Sequence, residues 1–162
     1  MMSKPLFFVS VLLLCHFKGY CQSFFVVRHA EKNTSIADNP PLTELGEARA
    51  KRLRGILAYR EIQGIFSTET TRTKHTVLPL AERLAIPIQI YDPNNQTRLI
   101  DSLKGINSNV VIVGHSNTIH HVINGLAEKT VLEGPLDESI YNRLYEVKRR
   151  KIGKPEVKVY EF

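Results

Sequence analysis

A chain of 162 residues has room for one domain, and its composition (43% hydrophobic, 23% charged) is typical of a globular protein with a buried core. The formal net charge of +6 suits an anionic partner. Basic residues do not alternate with aromatic ones as they do in proteins that stack nucleic-acid bases, so we expect no nucleic-acid partner. Repeats and low-complexity linkers are absent from the sequence, which predicts a single domain after the N-terminal segment.

The N-terminal segment has the layout of a secretory signal peptide. Lys4 precedes an apolar run, Leu6–Cys15, which is shorter than the roughly 20 residues needed to span a bilayer. The small residues Gly19 and Cys21 stand where signal peptidase reads the chain before Gln22. We therefore expect residues 1–21 to be a signal peptide and residues 22–162 to be the mature domain. An uncleaved first strand or an anchor is the alternative.

A signal peptide places the protein outside the cytoplasm, in the periplasm or secreted, with no stable membrane insertion of the mature chain. Both cysteines, Cys15 and Cys21, lie in the removed segment. Disulfides and thiol chemistry are therefore excluded from the expected mature domain.

Strands and helices alternate along the rest of the chain. Short continuous apolar runs predict buried strands, and apolar residues at positions i, i+3, i+4 and i+7 predict helices. The predicted elements in chain order are a strand at 23–28, a helix from an N-cap at Thr43 to Tyr59 with Leu45, Leu53, Ile56 and Leu57 on its apolar side, a strand at 62–66, a helix beyond Thr71, a strand at 86–91, a helix at 96–104, a strand at 110–113, a helix at 116–127 and terminal strands at 141–148 and 156–162. Pro79 stands inside the second helix and predicts a kink or a late start there.

This alternation predicts an α/β fold, a three-layer sandwich with a mostly parallel central sheet and helices on both faces. The two terminal strands are candidates for an antiparallel edge.

Basic side chains follow three of the predicted buried strands. Arg28 and His29 come after the first strand, Arg72 follows the second, and His115 follows the fourth. Ligands of open α/β sheets bind beyond the carboxyl ends of the strands, so we expect these groups to converge. They would repel one another unless an anion lay between them. Guanidinium groups bind phosphate oxygens in pairs, and the predicted helix start at Ser116-Asn117 also favours an anion.

Four motifs occur in order along the chain: RHAEK (28–32), PPLTELGEARAKRL (40–53), TRT (71–73) and GHSN (114–117). Together they resemble the histidine phosphatase superfamily, also called the phosphoglycerate mutase-like family. The resemblance runs from Phe24 to Tyr145. Ala30 replaces the glycine of the family's usual Arg-His-Gly motif. The resemblance implies that His29 is the nucleophile that forms a phosphohistidine. It also implies that Arg28, Arg72 and a protonated His115 hold the phosphoryl oxygens, without a metal or cofactor.

The resemblance does not identify a general acid in this chain. Family members often place a glutamate after the third strand, where this chain has none. Asp92 is the nearest carboxylate in position and is the candidate, although it is equally suited to capping the turn before Pro93. Glu69, in the turn after the second strand, is the competitor.

The sequence therefore predicts a metal-independent phosphatase acting on a phosphorylated small molecule or a phosphoprotein. The alternative is a module of the same fold that binds phosphate or another anion without turnover. A metal site is not expected, because His120 and His121 are adjacent on a predicted helix and point about 100° apart, and no carboxylate completes a ligand spacing. A mutase is disfavoured because the short insertions leave little room for a sugar-acid pocket.

Overall fold

The computed structural model describes residues 21–150 and 152–162, so the predicted signal peptide lies outside the described residues apart from Cys21. The elements are β1 (Cys21–Arg28), α1 (Glu44–Leu57), β2 (Ile62–Ser67), α2 (Thr71–Leu84), β3 (Ile88–Ile90), α3 (Gln96–Lys104), β4 (Asn109–Gly114), α4 (Ile119–Ala127), β5 (Arg143–Arg150) and β6 (Glu156–Glu161). Among these described helices, none is long and apolar enough to cross a membrane.

A single six-stranded sheet organises the molecule, with strand order β3-β2-β4-β1-β5-β6. The β2–β3, β2–β4 and β1–β4 pairs are parallel. The β1–β5 and β5–β6 pairs are antiparallel. The prediction of a mostly parallel sheet with an antiparallel edge is therefore confirmed. Because β5 runs against β1, its amino end lies at the same edge of the sheet as the carboxyl ends of the parallel strands.

Helices cover both faces of this sheet. On one face, Leu99 and Leu103 of α3 and Ile119 and Ile123 of α4 belong to a buried cluster with Phe24 and Val26 of β1. On the other face, α1 and α2 pack against Phe25 and Val27 of the same strand. Burial on both faces explains why β1 reads as an unbroken apolar run. Leu45 of α1 does not join the apolar side as predicted, since it is 56% exposed.

Two predicted helix starts need comment. Helix α2 begins at Thr71 and continues past Pro79 to Leu84, so a late start is wrong. Burial of Val77 and Leu80 against the sheet compensates for the hydrogen bond that proline cannot donate. Helix α4 begins at Ile119, three residues later than predicted. The His115 N–H instead donates to Thr118 Oγ1 at 3.1 Å, which holds residues 116–118 in a turn.

Candidate active site

A cavity of about 460 Å³ opens at the edge of the sheet where the parallel strands end. His29 follows β1, Arg72 lies in the first turn of α2 after β2, and His115 follows β4. The cavity is lined by His29, Lys32, Arg72, Pro93, Asn94, His115, Ser116, Asn117, Thr118 and Glu138. The structure therefore brings together three of the predicted site residues, while Arg28 and Asp92 do not line this cavity.

His29 is buried and held at both its backbone and its ring. Its N–H donates to the Gly114 carbonyl at 2.9 Å, and its Nδ1 lies 2.8 Å from the Ala30 carbonyl. A carbonyl only accepts hydrogen bonds, so Nδ1 carries the hydrogen and Nε2 keeps the lone pair. Burial, with the positive charges of Arg28 and Arg72, lowers the pKa of His29 to about 3 against the opposing effect of the Ala30 hydrogen bond. The ring is therefore neutral at pH 7.

His115 is the neighbour of His29 across the cavity, with the two ring centroids 5.5 Å apart. Arg72 Nη2 lies 3.4 Å from His115 Nδ1, and Thr68 Oγ1 lies 3.0 Å from Nε2. A guanidinium only donates, so Nδ1 accepts from Arg72 and Nε2–H donates to Thr68. Burial first, and then the charge of Arg72, lowers the pKa of His115 to about 4. In contrast to the expected protonated form, His115 is neutral in the free site at pH 7.

One threonine joins the His29 loop to the helix that carries Arg72. The Ala30 N–H donates to Thr76 Oγ1 at 2.9 Å, and that hydroxyl donates to the Arg72 carbonyl at 2.7 Å. The methyl group of Ala30, which replaces the usual glycine, is fully buried in a small cluster with Leu42 and Ala50. The site therefore accommodates alanine at this position.

Helix α1 approaches the His29 loop closely. The Thr43 N–H donates to the Glu31 carbonyl at 2.9 Å, and Thr43 Oγ1 caps α1 by accepting from the Gly46 N–H. A Cβ atom at position 46 would lie 2.4 Å from the Glu31 carbonyl oxygen. The glycine in the LTELG sequence is therefore required for this contact.

Arg28 lies beside the cavity and is 1% exposed. Its Nη1 donates to the carbonyls of Asp137, Glu138 and Ile140 at 3.2, 2.9 and 3.2 Å. Its Nη2 contacts Glu138 Oε2 at 2.5 Å and Tyr141 Oη at 3.3 Å. The turn before β5 thus occupies the terminal nitrogens that were predicted to hold phosphoryl oxygens. The Nε atoms of Arg28 and Arg72 are buried without a partner among the described residues.

Glu138 is a site residue that the sequence analysis missed. Its carboxylate accepts hydrogen bonds from Ser116 Oγ and Arg28, and the Ser116 bond is the main cause that lowers its pKa, with the positive charges of Arg28 and Lys32 contributing. The turn that carries it is tied to the site by the Leu136 N–H, which donates to the Ser116 carbonyl at 3.0 Å. Asp137 Oδ1 accepts from the Ser139 N–H and fixes the turn. The sequence signals only that turn, as Asp-x-Ser.

A sequence profile of the histidine phosphatase superfamily (branch 1) matches residues 24–93, which include His29 and Arg72 at their observed places in the site. This match supports assigning the chain to the superfamily. His115 lies beyond the matched residues, and the structure places it in the same cavity as His29 and Arg72. At the level of sequence, no protein of curated function matches.

Solved structures share the fold of this chain at low sequence identity. The protein histidine phosphatase SixA complexed with tungstate is 16% identical (TM-score 0.66) over 86% of this chain and 96% of its own. The phosphoserine phosphatase of Entamoeba histolytica, in complex with 3-phosphoglyceric acid, is 14% identical (TM-score 0.64), covering 87% and 97%. A mycobacterial glucosyl-3-phosphoglycerate phosphatase is 14% identical (TM-score 0.61), covering 88% and 98%. At these identities the likeness establishes the α/β fold.

The structure places both predicted acid candidates, Asp92 and Glu69, outside the cavity. Asp92 is exposed, and its Oδ1 accepts from the Asn94 N–H at 2.8 Å, which is the capping role. Its side chain belongs to a neighbouring cavity with Arg98 and Ser102. Glu69 is 74% exposed and pairs with Lys74 at 2.7 Å. The backbone turn after β3 therefore points Pro93 and Asn94, and not Asp92, into the site.

Lys32 is a second lining residue that was not predicted, and its positive charge lowers the pKa of both His115 and Glu138. Arg72, Lys32 and the adjacent Arg28 give the site a positive balance against one carboxylate. Within residues 21–150 and 152–162, no cluster of three or more His, Cys, Asp or Glu side chains forms a metal site. The arrangement is suited to holding a phosphate-like anion against the imidazole of His29.

Proposed function

We propose that this protein is a phosphatase that acts on a phosphorylated small molecule or a phosphoprotein through a phosphohistidine intermediate on His29. The observation that carries the proposal is the state of His29, a buried neutral imidazole with Nδ1 bound to the Ala30 carbonyl. Only the neutral ring attacks phosphorus, and the bound Nδ1 leaves Nε2 as the nucleophile. Superfamily membership and the phosphatases among its structural relatives support the general activity.

In the proposed first step, Nε2 attacks phosphorus in line with the leaving oxygen, a nitrogen–phosphorus bond forms and the phosphorus–oxygen bond breaks. Water then cleaves the phosphohistidine and restores the imidazole. Arg72 and His115 line the cavity beside His29, where they meet the charge of the equatorial oxygens. The bound dianion raises the pKa of His115 and favours its protonation during the step. These groups supply the charge that a metal supplies elsewhere, so we propose a metal-independent reaction.

Arg72 Nε is buried without a hydrogen-bond partner in the part of the chain that the structure describes, and it supports an anionic ligand in the cavity independently of the imidazole. A buried N–H without a partner costs about 1–3 kcal/mol, and a bound oxyanion would relieve that cost. This argument applies equally to a protein that binds phosphate without turnover. Such a binding module is the second candidate function, and it is favoured by the position of Asp92 outside the cavity.

Hydrolysis of 4-nitrophenyl phosphate with and without EDTA tests the proposal. We expect turnover that EDTA does not reduce and that His29→Ala abolishes, together with acid-labile phosphate on His29 in the wild type after rapid quenching. A protein that binds tungstate or phosphate but releases no nitrophenol would be the binding module.

We also propose that the protein is exported, on the layout of residues 1–21. Expression of the full chain in a secreting host, followed by N-terminal sequencing, should give Gln22 as the first residue. A retained Met1 in the soluble cytoplasmic fraction would contradict this proposal.

A further inference from the structure

We propose that Glu138 transfers the protons of the reaction, giving one to the leaving oxygen and later taking one from the attacking water. The inference rests on the proposed phosphatase function. It assigns the general acid and base to the turn before β5, whereas the sequence placed the acid after the second or third strand.

Glu138 lies in the cavity beside the proposed nucleophile. Glu138 contributes the one carboxylate among the described residues that line the cavity. The carboxylate lies close enough to His115 and Arg72 for its negative charge to act on the pKa of both residues. The turn is anchored on both sides, by Leu136 to the Ser116 carbonyl and by Arg28 to three backbone carbonyls. The backbone of this turn is thus fixed while its side chain extends into the site.

The Glu138 side chain has room to move within the site. The Glu138 side chain is 70% exposed, whereas its partner Arg28 is 1% exposed. Glu138 Oε2 holds Arg28 Nη2, which the three backbone carbonyls do not hold. When the exposed Glu138 side chain turns into the cavity, its carboxylate lies next to the reacting phosphorus and Arg28 Nη2 becomes open to a phosphoryl oxygen, while the backbone of the turn stays fixed.

Substrate binding changes the electrostatics around Glu138. In the free site the carboxylate is kept ionised by the Ser116 hydrogen bond and by the positive charges of Arg28 and Lys32. A phosphoryl dianion neutralises these positive groups and repels the carboxylate, and both effects raise the pKa of a carboxyl group. Substrate binding therefore favours proton uptake by Glu138, which supplies the acid where and when the leaving oxygen needs it.

The two steps balance. In the first, His29 Nε2 bonds to phosphorus, the phosphorus–oxygen bond to the leaving group breaks, and the Glu138 carboxyl gives its proton to that oxygen. In the second, water bonds to phosphorus, the Glu138 carboxylate takes one of its protons, and the nitrogen–phosphorus bond breaks to release phosphate. The carboxyl is then protonated again, as in the substrate complex, and it returns the proton taken up on substrate binding to solvent when phosphate leaves, so no other reactant is required.

A series of phosphate esters with increasingly basic leaving groups tests this assignment. The esters are 2,4-dinitrophenyl, 4-nitrophenyl, phenyl and an alkyl phosphate, each hydrolysed by the wild type and by Glu138→Gln. Dinitrophenolate leaves without a proton, and an alkoxide does not. We expect Glu138→Gln to lose about 10²-fold or more in kcat/KM on the alkyl ester and progressively less toward the dinitrophenyl ester. A plot of log kcat/KM against leaving-group basicity should therefore have a steeper slope for Glu138→Gln than for the wild type.

Glu69→Gln is the matched control, since Glu69 is 74% exposed, pairs with Lys74 and lies outside the cavity. It removes the same charge and should leave the slope unchanged. Glu138→Asp keeps the carboxylic acid and should recover part of the alkyl-ester rate. Proton uptake on binding tungstate, measured by calorimetry in buffers of different ionisation enthalpy, should fall in Glu138→Gln and persist in Glu69→Gln.

An equal loss across the series, or no loss, would overturn the proposal. A lower KM with an unchanged slope in Glu138→Gln would instead make Glu138 an internal competitor for the phosphate site, which also overturns it. If the wild type hydrolyses none of the esters, the phosphatase function itself fails. If the wild type hydrolyses them and Glu138→Gln shows the same dependence on leaving-group basicity, only the role of Glu138 is refuted. Circular dichroism of each variant verifies that it is folded.

Discussion

Thr76 Oγ1 accepts a hydrogen bond from the Ala30 N–H at 2.9 Å and donates one to the Arg72 carbonyl at 2.7 Å. Thr76 is 2% exposed, so its hydroxyl links the His29 loop to the helix that carries Arg72 in the absence of competing solvent. We predict that Thr76→Val, which keeps the shape and removes both bonds, lowers the free energy of unfolding by about 1–3 kcal/mol and reduces kcat.

Urea unfolding and hydrolysis of 4-nitrophenyl phosphate measure the two effects. Thr97→Val, at an exposed position of α3, is the control and should change the free energy of unfolding by less than about 0.5 kcal/mol. Equal effects of the two substitutions would show that the link is unimportant.

Two glycines of α1 should respond in opposite directions to alanine. A Cβ at position 46 would meet the Glu31 carbonyl oxygen at 2.4 Å, whereas a Cβ at position 55 would meet nothing within 4 Å. We predict that Gly46→Ala lowers the free energy of unfolding by about 1–3 kcal/mol through overpacking. Gly55→Ala should raise it by up to about 1 kcal/mol because alanine is the better helix former. Thermal unfolding of the pair measures this, and destabilisation by both would contradict it.

Arg72 should act mainly on turnover. In the proposed reaction its guanidinium meets charge that develops on the phosphoryl oxygens, so Arg72→Ala is predicted to lower kcat by about 10²–10³-fold with a smaller change in KM. Because Arg72 is also the first of the charges that lower the pKa of His115, its loss should raise that pKa. The histidine resonances in an NMR titration measure this shift. Arg83→Ala, at an exposed position in the last turn of the same helix, should change neither quantity.

Stability should rise with pH through the mildly acidic range. The pKa values of His29 and His115 are lowered from 6.5 to about 3 and about 4 in the folded protein. Between these values and 6.5 the unfolded chain binds more protons than the folded one, so the free energy of unfolding increases with pH. This stability is lost as the pH falls below about 6.5.

Urea midpoints from pH 4.5 to 7.5 measure the slope. His115→Asn should flatten it, and His75→Asn, at an exposed position of α2, should not. A midpoint independent of pH in the wild type would refute the assignment of two buried neutral histidines.

Much of the site followed from the sequence because its residues are local extensions of buried strands. The apolar runs that end in Arg28-His29 and Gly114-His115 mark strands buried on both faces, and parallel strands deliver their carboxyl ends to a common edge. The same argument placed Arg72, although the first turn of α2 and not a strand carries it.

Tertiary structure alone brought Glu138 to the cavity. Glu138 reaches the cavity because β5 pairs antiparallel with β1 and brings its amino end to the edge where His29 lies, a relationship between residues more than a hundred positions apart. No local pattern encodes it. Likewise, Asp92 accepts a hydrogen bond from Asn94 within its own turn and lies outside the cavity. The turn before β5 binds Arg28 through its backbone carbonyls. Periodicity determined which strands are buried, and long-range pairing determined which charges meet.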